Sequence, residues 1–177
     1  MNLPNKLTVT RILAVPFIIV ALYLNTAWSN IAATVLFCIA AFTDFLDGYL
    51  ARKNKIVTDF GKLLDPVADK LLVLSTLIML TDCKLMIAWP VILILARELS
   101  VDGLRLIAAS KGSVIAAGKL GKIKTVSQII LILWLMITRI PVADHVIGII
   151  LLSWVCIITF WSGVDYFCRN KGLISSK

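Results

Sequence analysis

Histidine is almost absent from this sequence. His145 is its one copy, and it stands in a short polar break near residues 139–145, far along the chain from the main carboxylate cluster. Acid/base chemistry built on imidazole therefore has no foothold. Carboxylates are scarce as well, ten Asp and Glu against eighteen Lys and Arg. The four cysteines, Cys38, Cys83, Cys156 and Cys168, have no paired spacing and fall mostly in apolar runs. They read as small buried hydrophobes, which excludes a zinc site or a disulfide framework. No internal repeat, low-complexity tract or soluble domain is visible. No small-residue cleavage site follows Leu24, so the first apolar run reads as a retained anchor rather than a removable signal. The lack of a transit peptide fits a bacterial inner membrane.

What the chain does have is apolar length. Its mean hydropathy is +0.97, and uncharged runs cover residues 12–41 (broken by a polar patch at 25–30), 71–81, 85–96, 126–138 and 146–164. That pattern predicts an all-α integral membrane protein in a single domain, residues 1–177. Only the last run approaches the ~20 residues that cross hydrocarbon unaided. The others reach that length if charged residues at one end are counted as helix, which gives six transmembrane helices. The basic segment 2–10 is expected as a short juxtamembrane helix along the headgroups. There Lys6 and Arg11 either meet phosphates or only set topology.

Charge placement predicts the orientation. With the breaks near 25–30, 81–84 and 139–145 on one side, Lys84 and Arg139 are there and the other sixteen of eighteen Lys and Arg are opposite. The positive-inside rule then puts both termini in the cytoplasm. The formal net charge of +8 suits anionic lipid headgroups, and nucleic acid is not the expected partner.

One stretch, residues 44–69, carries the chemistry. Asp44, Asp47, Gly48 and Ala51 stand at i, i+3, i+4 and i+7, so on a helix they share a face. Arg52 follows, and after eight residues come Gly61, Asp65 and Asp69, spaced by fours on a second segment. Pro66 fits a first helical turn, with Asp65 either capping that helix or lying inside it. Carboxylates inside a membrane boundary are costly and face a cavity or a partner. Four clustered anions repel unless cations join them, and all-oxygen ligands suit Mg2+ or Mn2+. Gly48 and Ala51 remove bulk beside them, for a close-approaching ligand or for tight helix packing. Arg52 is placed to pair with a phosphate.

A second polar set follows. Arg97 and Glu98 read as a structural ion pair or as the start of a stripe that continues through Asp102 and Arg105. Lys119 and Lys122, three residues apart, form with Arg105 a cationic patch, either a phosphate site or a solvated topogenic cluster. Asp102 sits awkwardly inside that patch. Two metals clamped by four carboxylates, with cations to hold phosphates, describe phosphoryl transfer on a lipid substrate. One carboxylate would accept the proton of an attacking hydroxyl.

The pattern D-x-x-D-G-x-x-A-R, eight residues, G-x-x-x-D-x-x-x-D is filled at every fixed position. It resembles the signature of the CDP-alcohol phosphotransferase family. The resemblance implies six membrane helices, a homodimer, and transfer of a phosphatidyl or similar group from a CDP-linked donor to an alcohol with release of CMP. It implies that Asp44, Asp47, Asp65 and Asp69 hold two divalent cations, Mg2+ or Mn2+, and that Asp69 also acts as general base. Gly48, Ala51, Arg52, Thr58 and Gly61 would line the site of CDP-diacylglycerol. Residues 2–11 (NLPNKLTVTR), 65–70 (DPVADK), 96–98 (ARE), 103–105 (GLR) and 121–125 (GKIKT) are similar to the branch whose acceptor is glycerol 3-phosphate. An anionic acceptor gives the cations a purpose: Arg105, Lys119 and Lys122 on its phosphate, with Thr8 and Arg11 near them.

Two alternatives follow from the same residues. A sister enzyme would use serine, inositol phosphate or phosphatidylglycerol as acceptor. A divalent-cation transporter would need polar groups through the whole membrane depth, and the runs 71–80 and 85–96 are almost wholly apolar.

Overall fold

A computed structural model describes the chain at residues 3–54, 59–111 and 118–171, with side chains from 7–43, 64–111 and 118–171. Among the described residues it forms six α-helices, α1 (Leu3–Leu24), α2 (Ala27–Asn54), α3 (Asp59–Asp82), α4 (Ala88–Ser110), α5 (Lys119–Thr138) and α6 (Val146–Arg169), plus a 3-10 turn at Val142–Asp144 and no strand. They pack as two units. One comprises Met1–Met86 and Ile132–Pro141, the other Ile87–Leu131 and Val142–Lys177.

The helix ends follow from local chemistry. Thr26 and Ser29 exchange hydrogen bonds at the start of α2, each backbone N–H donating to the other's hydroxyl at 2.9 and 3.2 Å. This is a capping box, and it fixes the two-residue turn after α1 together with Asn25 at φ 48°. At the end of α3, Lys84 takes φ 62°. Its N–H donates to Thr81 O at 3.0 Å while Leu85 N–H donates to Leu80 O at 2.9 Å, a Schellman closure. The lone histidine has a structural role here: His145 Nδ1 accepts from Ile147 N–H at 3.2 Å and caps α6.

In the first unit α1 packs along both α2 and α3. Val15, Ile18 and Leu22 of α1 meet a core that holds Phe37 of α2 and Leu72, Leu77 and Leu80 of α3. Ala33, Ala40 and Ala68 are buried there, and side chains of that size let helix backbones approach closely. At one end Arg139 donates from Nη2 to Asn25 Oδ1, which also accepts from Asn30 Nδ2. In the second unit α4 packs on α6 through Val101, Leu104 and Tyr166, with Phe167 against them.

Among the described residues, three helices are long and apolar enough to cross a membrane: Leu7–Leu24, Lys119–Thr138 and Val146–Arg169. Phe17, Tyr23, Trp28, Phe42, Trp89, Trp154 and Trp161 are all exposed. Hydrocarbon accommodates such surfaces, whereas water penalises them.

Three expectations change. The short juxtamembrane helix is not a separate element, because α1 runs unbroken from Leu3. Pro4 falls in its first turn, where a missing N–H costs nothing, and burial of Thr8 and Arg11 holds the segment in the bundle. Pro66 is not in a first turn either, since α3 begins at Asp59 and contains it. Asp65 therefore lies inside the helix and does not cap it. The cysteines are all free, and Cys38 and Cys168 are exposed rather than buried. A thiol is apolar enough to face lipid.

Candidate active site

In the first unit the candidate site falls on α2 and α3. The helical course of α2 through Asn54 keeps Asp44, Asp47, Gly48 and Ala51 on one face, with Arg52 one residue further. Their side chains lie outside the described residues, and so does Thr58. Gly61, Asp65 and Asp69 stand at i, i+4 and i+8 of the unbroken α3, so they form a single row. Asp65 and Asp69 are half-buried.

α1 supplies a residue to this row. Thr8 is 1% exposed, and its hydroxyl donates to Asp65 Oδ1 at 2.5 Å. A hydroxyl that engages one oxygen fixes the carboxylate rotamer and leaves the other oxygen for ligation, as outer-shell donors do at metal sites. Arg11, one turn further along α1, is buried and donates from Nε to Ala40 O at 3.3 Å. Ala40 stands four residues before Asp44, so Arg11 ties α1 to the part of α2 that leads into the acidic face. Thr8 and Arg11, expected near the acceptor's phosphate, are thus placed against Asp65 and the α2 backbone.

The donor set fits hard divalent cations: carboxylate oxygens, with a neutral hydroxyl orienting one of them. Thr8→Val keeps the shape and deletes the donor. It is expected to raise the Mg2+ or Mn2+ concentration needed for half-maximal activity by about tenfold, checked by metal titration of the purified variant.

In the second unit a buried ion cluster joins α4 to α5. Glu98 Oε1 accepts from Lys124 Nζ and, at 3.3 Å, from Arg97 Nη1. Arg105 donates from Nε to Tyr166 Oη at 3.0 Å, its guanidinium carbon 5.6 Å from the ring centroid. Lys119 and Lys122 are exposed in the first turn of α5, and Asp102 is half-buried on α4. The Arg97–Glu98 pair expected from sequence is present. Its third member, Lys124, was not among the expected site residues.

Comparison with known proteins matches residues 1–161 to the description CDP-alcohol phosphatidyltransferase. The chain belongs to the CDP-alcohol phosphatidyltransferase family. Near-full-length relatives in this family carry the name CDP-diacylglycerol–glycerol-3-phosphate 3-phosphatidyltransferase. The Bacillus subtilis (strain 168) protein is 42% identical over 189 residues, covering 96% of this chain and 95% of its own. The Rickettsia felis protein is 42% identical over 174 residues, 96% of each. The Salmonella choleraesuis protein is 35% identical over 175 residues, 97% of this chain and 96% of its own.

For a member of this family, the structure brings together Thr8 with Asp65 and Arg105 with Tyr166. Sequence reading missed Tyr166 and Lys124 as partners. Lys124 had a signal: it is the last cation before the apolar run of α5, and Glu98 is an isolated carboxylate following the apolar run of α4. A membrane interior leaves such charges little choice but each other. Tyr166 had none, because tyrosine at a helix end usually reads as an interface anchor.

Proposed function

We propose that this chain is an enzyme that transfers the phosphatidyl group from CDP-diacylglycerol to glycerol 3-phosphate, giving phosphatidylglycerophosphate and CMP. The observation that carries the reading is similarity over nearly the whole chain to proteins named for that reaction, 42% identity to the Bacillus subtilis relative. Residues 1–177 act as one family domain.

Asp44, Asp47, Asp65 and Asp69 would hold two divalent cations, Mg2+ or Mn2+, which neutralise charge on the phosphoryl oxygens when bound. Gly48, Ala51 and Gly61 leave room on α2 and α3 for the cytidine diphosphate moiety, with Thr58 and Arg52 beside it and Arg52 on a phosphate. Asp69 takes the proton of the 1-hydroxyl of glycerol 3-phosphate. That oxygen attacks the phosphorus bonded to diacylglycerol, the bond from this phosphorus to the CMP oxygen breaks, and CMP leaves. Arg105, Lys119 and Lys122 attract the acceptor's phosphate, and the Tyr166 contact fixes the plane of the Arg105 guanidinium.

The protein is a membrane protein. We assign it six spans in the bacterial cell membrane, because α2, α3 and α4, at 28, 24 and 23 residues, match the ~20 residues a crossing needs. The sixteen-to-two distribution of Lys and Arg places both termini and the acidic helix ends on the cytoplasmic side. We also assign it a homodimeric state, in keeping with the family.

The test is CMP release by purified protein supplied with CDP-diacylglycerol, Mg2+ or Mn2+, and each acceptor separately. Release that depends on glycerol 3-phosphate is expected. Release with serine, inositol phosphate or phosphatidylglycerol instead would keep the donor chemistry and overturn the acceptor.

A further inference from the structure

Away from the acidic row, the other end of the first unit holds an arginine that the proposed chemistry does not use. Thr8 and Asn25 lie near opposite ends of α1, roughly 25 Å apart at 1.5 Å per residue. Beside Asn25 stands Arg139, which closes α5: its N–H donates to Leu135 O at 3.0 Å, and it takes φ 54°. Glycine is the usual residue in that left-handed position, so an arginine there is kept for its side chain. Its Nη2 donates to Asn25 Oδ1, which also accepts from Asn30 Nδ2 at 3.3 Å. Arginine has only donors, so the Asn25 atom that faces it is the oxygen. That oxygen obliges Asn30 to present its Nδ2, which turns Asn30 Oδ1 elsewhere. Two atoms are left over. Arg139 Nη1, a charged donor, and Asn30 Oδ1, an acceptor, are enclosed and have no hydrogen-bond partner among the described residues. Such groups are costly to bury unmatched. Both residues are only half-buried and both are bonded to exposed Asn25, so the leftover atoms lie just under the surface.

The residues around this cluster mark its depth in a membrane. Tyr23 is 74% exposed and Trp28 is 83% exposed, and open Tyr and Trp surface concentrates at the level of the headgroups. Leu24, Ile137 and Ile140 are exposed as well, which suits contact with lipid chains. Among the described residues no carboxylate pairs with Arg139, so its charge is not cancelled within the chain. On the orientation proposed above, Arg139 and Lys84 are the two cations of the outer side. The positive-inside rule disfavours cations there. Lys84 is exposed and can stay in water, whereas Arg139 is drawn into the fold.

We infer that Arg139, with Asn25 and Asn30, binds the phosphate of an outer-leaflet phospholipid headgroup at the end of the first unit away from the acidic row. Arg139 Nη1 donates to a phosphodiester oxygen, for which a guanidinium is well suited. Asn30 Oδ1 accepts from a donor in the same headgroup, a glycerol hydroxyl or an ethanolamine ammonium. Asn25 holds both side chains in place through its one oxygen. A choline headgroup has no such donor and would engage the arginine alone. The leaflet rests on the proposed orientation, whereas the site rests on these three residues.

The experiment measures lipid binding to purified, delipidated protein in detergent, by native mass spectrometry and thermal unfolding. Phosphatidylglycerol, phosphatidylethanolamine and phosphatidylcholine with the same acyl chains, and inorganic phosphate, are titrated separately into wild type, Arg139→Gln and Asn30→Ala. Arg139→Gln is expected to weaken phosphatidylglycerol binding about tenfold, the usual loss for a hydrogen bond to a charged group. Asn30→Ala should weaken phosphatidylglycerol and phosphatidylethanolamine severalfold and leave phosphatidylcholine within about twofold of wild type. It carries the test if Arg139→Gln does not fold. CMP release by both variants should stay within about twofold of wild type, because this end of α1 is roughly 25 Å from Thr8 and Asp65. Equal phosphatidylglycerol binding by wild type and Arg139→Gln would overturn the inference. So would a wild type that holds phosphatidylcholine as tightly as phosphatidylglycerol, or an Asn30→Ala that treats all three lipids as wild type does. Stabilisation by inorganic phosphate that matches the lipid and is lost in Arg139→Gln would assign the cation to a free anion, which also overturns it. The binding assay needs no turnover, so failure of wild type to release CMP with glycerol 3-phosphate would overturn the proposed function and leave the lipid result intact. Micelles have no sidedness, so a reversed orientation would change the leaflet alone.

Discussion

Asp69→Asn is expected to reduce CMP release by at least about 10³-fold while the protein still inserts and purifies normally. The substitution keeps size and hydrogen-bonding capacity but removes the basic oxygen that would take the acceptor's proton. Such a base accounts for roughly 10²- to 10⁴-fold in rate. Asp69 would also be a metal ligand, so the loss should lie toward the upper end of that range. It stands in the row Gly61–Asp65–Asp69 on α3, whereas the buried leucines of that helix, Leu72, Leu77 and Leu80, lie further along. The check is single-turnover CMP release together with the unfolding temperature of the purified variant. Turnover within about tenfold of wild type would remove Asp69 from the base role. Loss of turnover accompanied by a collapse in unfolding temperature would point to folding instead.

The second large effect concerns stability rather than chemistry. Glu98→Gln should destabilise the protein by about 3 kcal/mol, the usual cost of taking one partner from a buried ion pair. Glu98 is 7% exposed, and its carboxylate is contacted by both Lys124 and Arg97. Removing its charge leaves two buried cations beside each other in a low-dielectric setting. Lys124→Met, which leaves Glu98 paired with Arg97, should cost distinctly less. Equilibrium unfolding in detergent, by heat or denaturant, measures both. If Lys124→Met proves as damaging as Glu98→Gln, the carboxylate is not the hub of the cluster and its sharing between two cations has no energetic weight.

These two predictions rest on different kinds of legibility. Asp69 is visible in the sequence because its spacing from Gly61 and Asp65 depends only on the pitch of one helix, and any continuous α3 produces that row. The hub at Glu98 is not visible to the same degree. Adjacent Arg97 and Glu98 suggest a pair, but Lys124 is 26 positions further on, and only its place next to the apolar run of α5 marks it as the cation that turns inward. Lys119 and Lys122 looked equally eligible, yet they are exposed while Lys124 is buried.

By itself the sequence determined the membrane class, the helical content and the approximate position of the helices among the described residues, since all of these follow from hydrophobic run length and helical periodicity. It also determined the family, because the 44–69 signature is local. Only tertiary structure decided which polar groups meet. It joined residues 3–10 to α1, turned Thr8 toward Asp65, set Pro66 and Asp65 inside α3, buried Arg11 against Ala40 O, and set the Arg97 side chain against Gly163 of α6. The physical reason is that run length and periodicity act within one helix, whereas a hydrogen bond or ion pair between helices depends on their rotation and depth. Those are fixed by packing across the whole bundle.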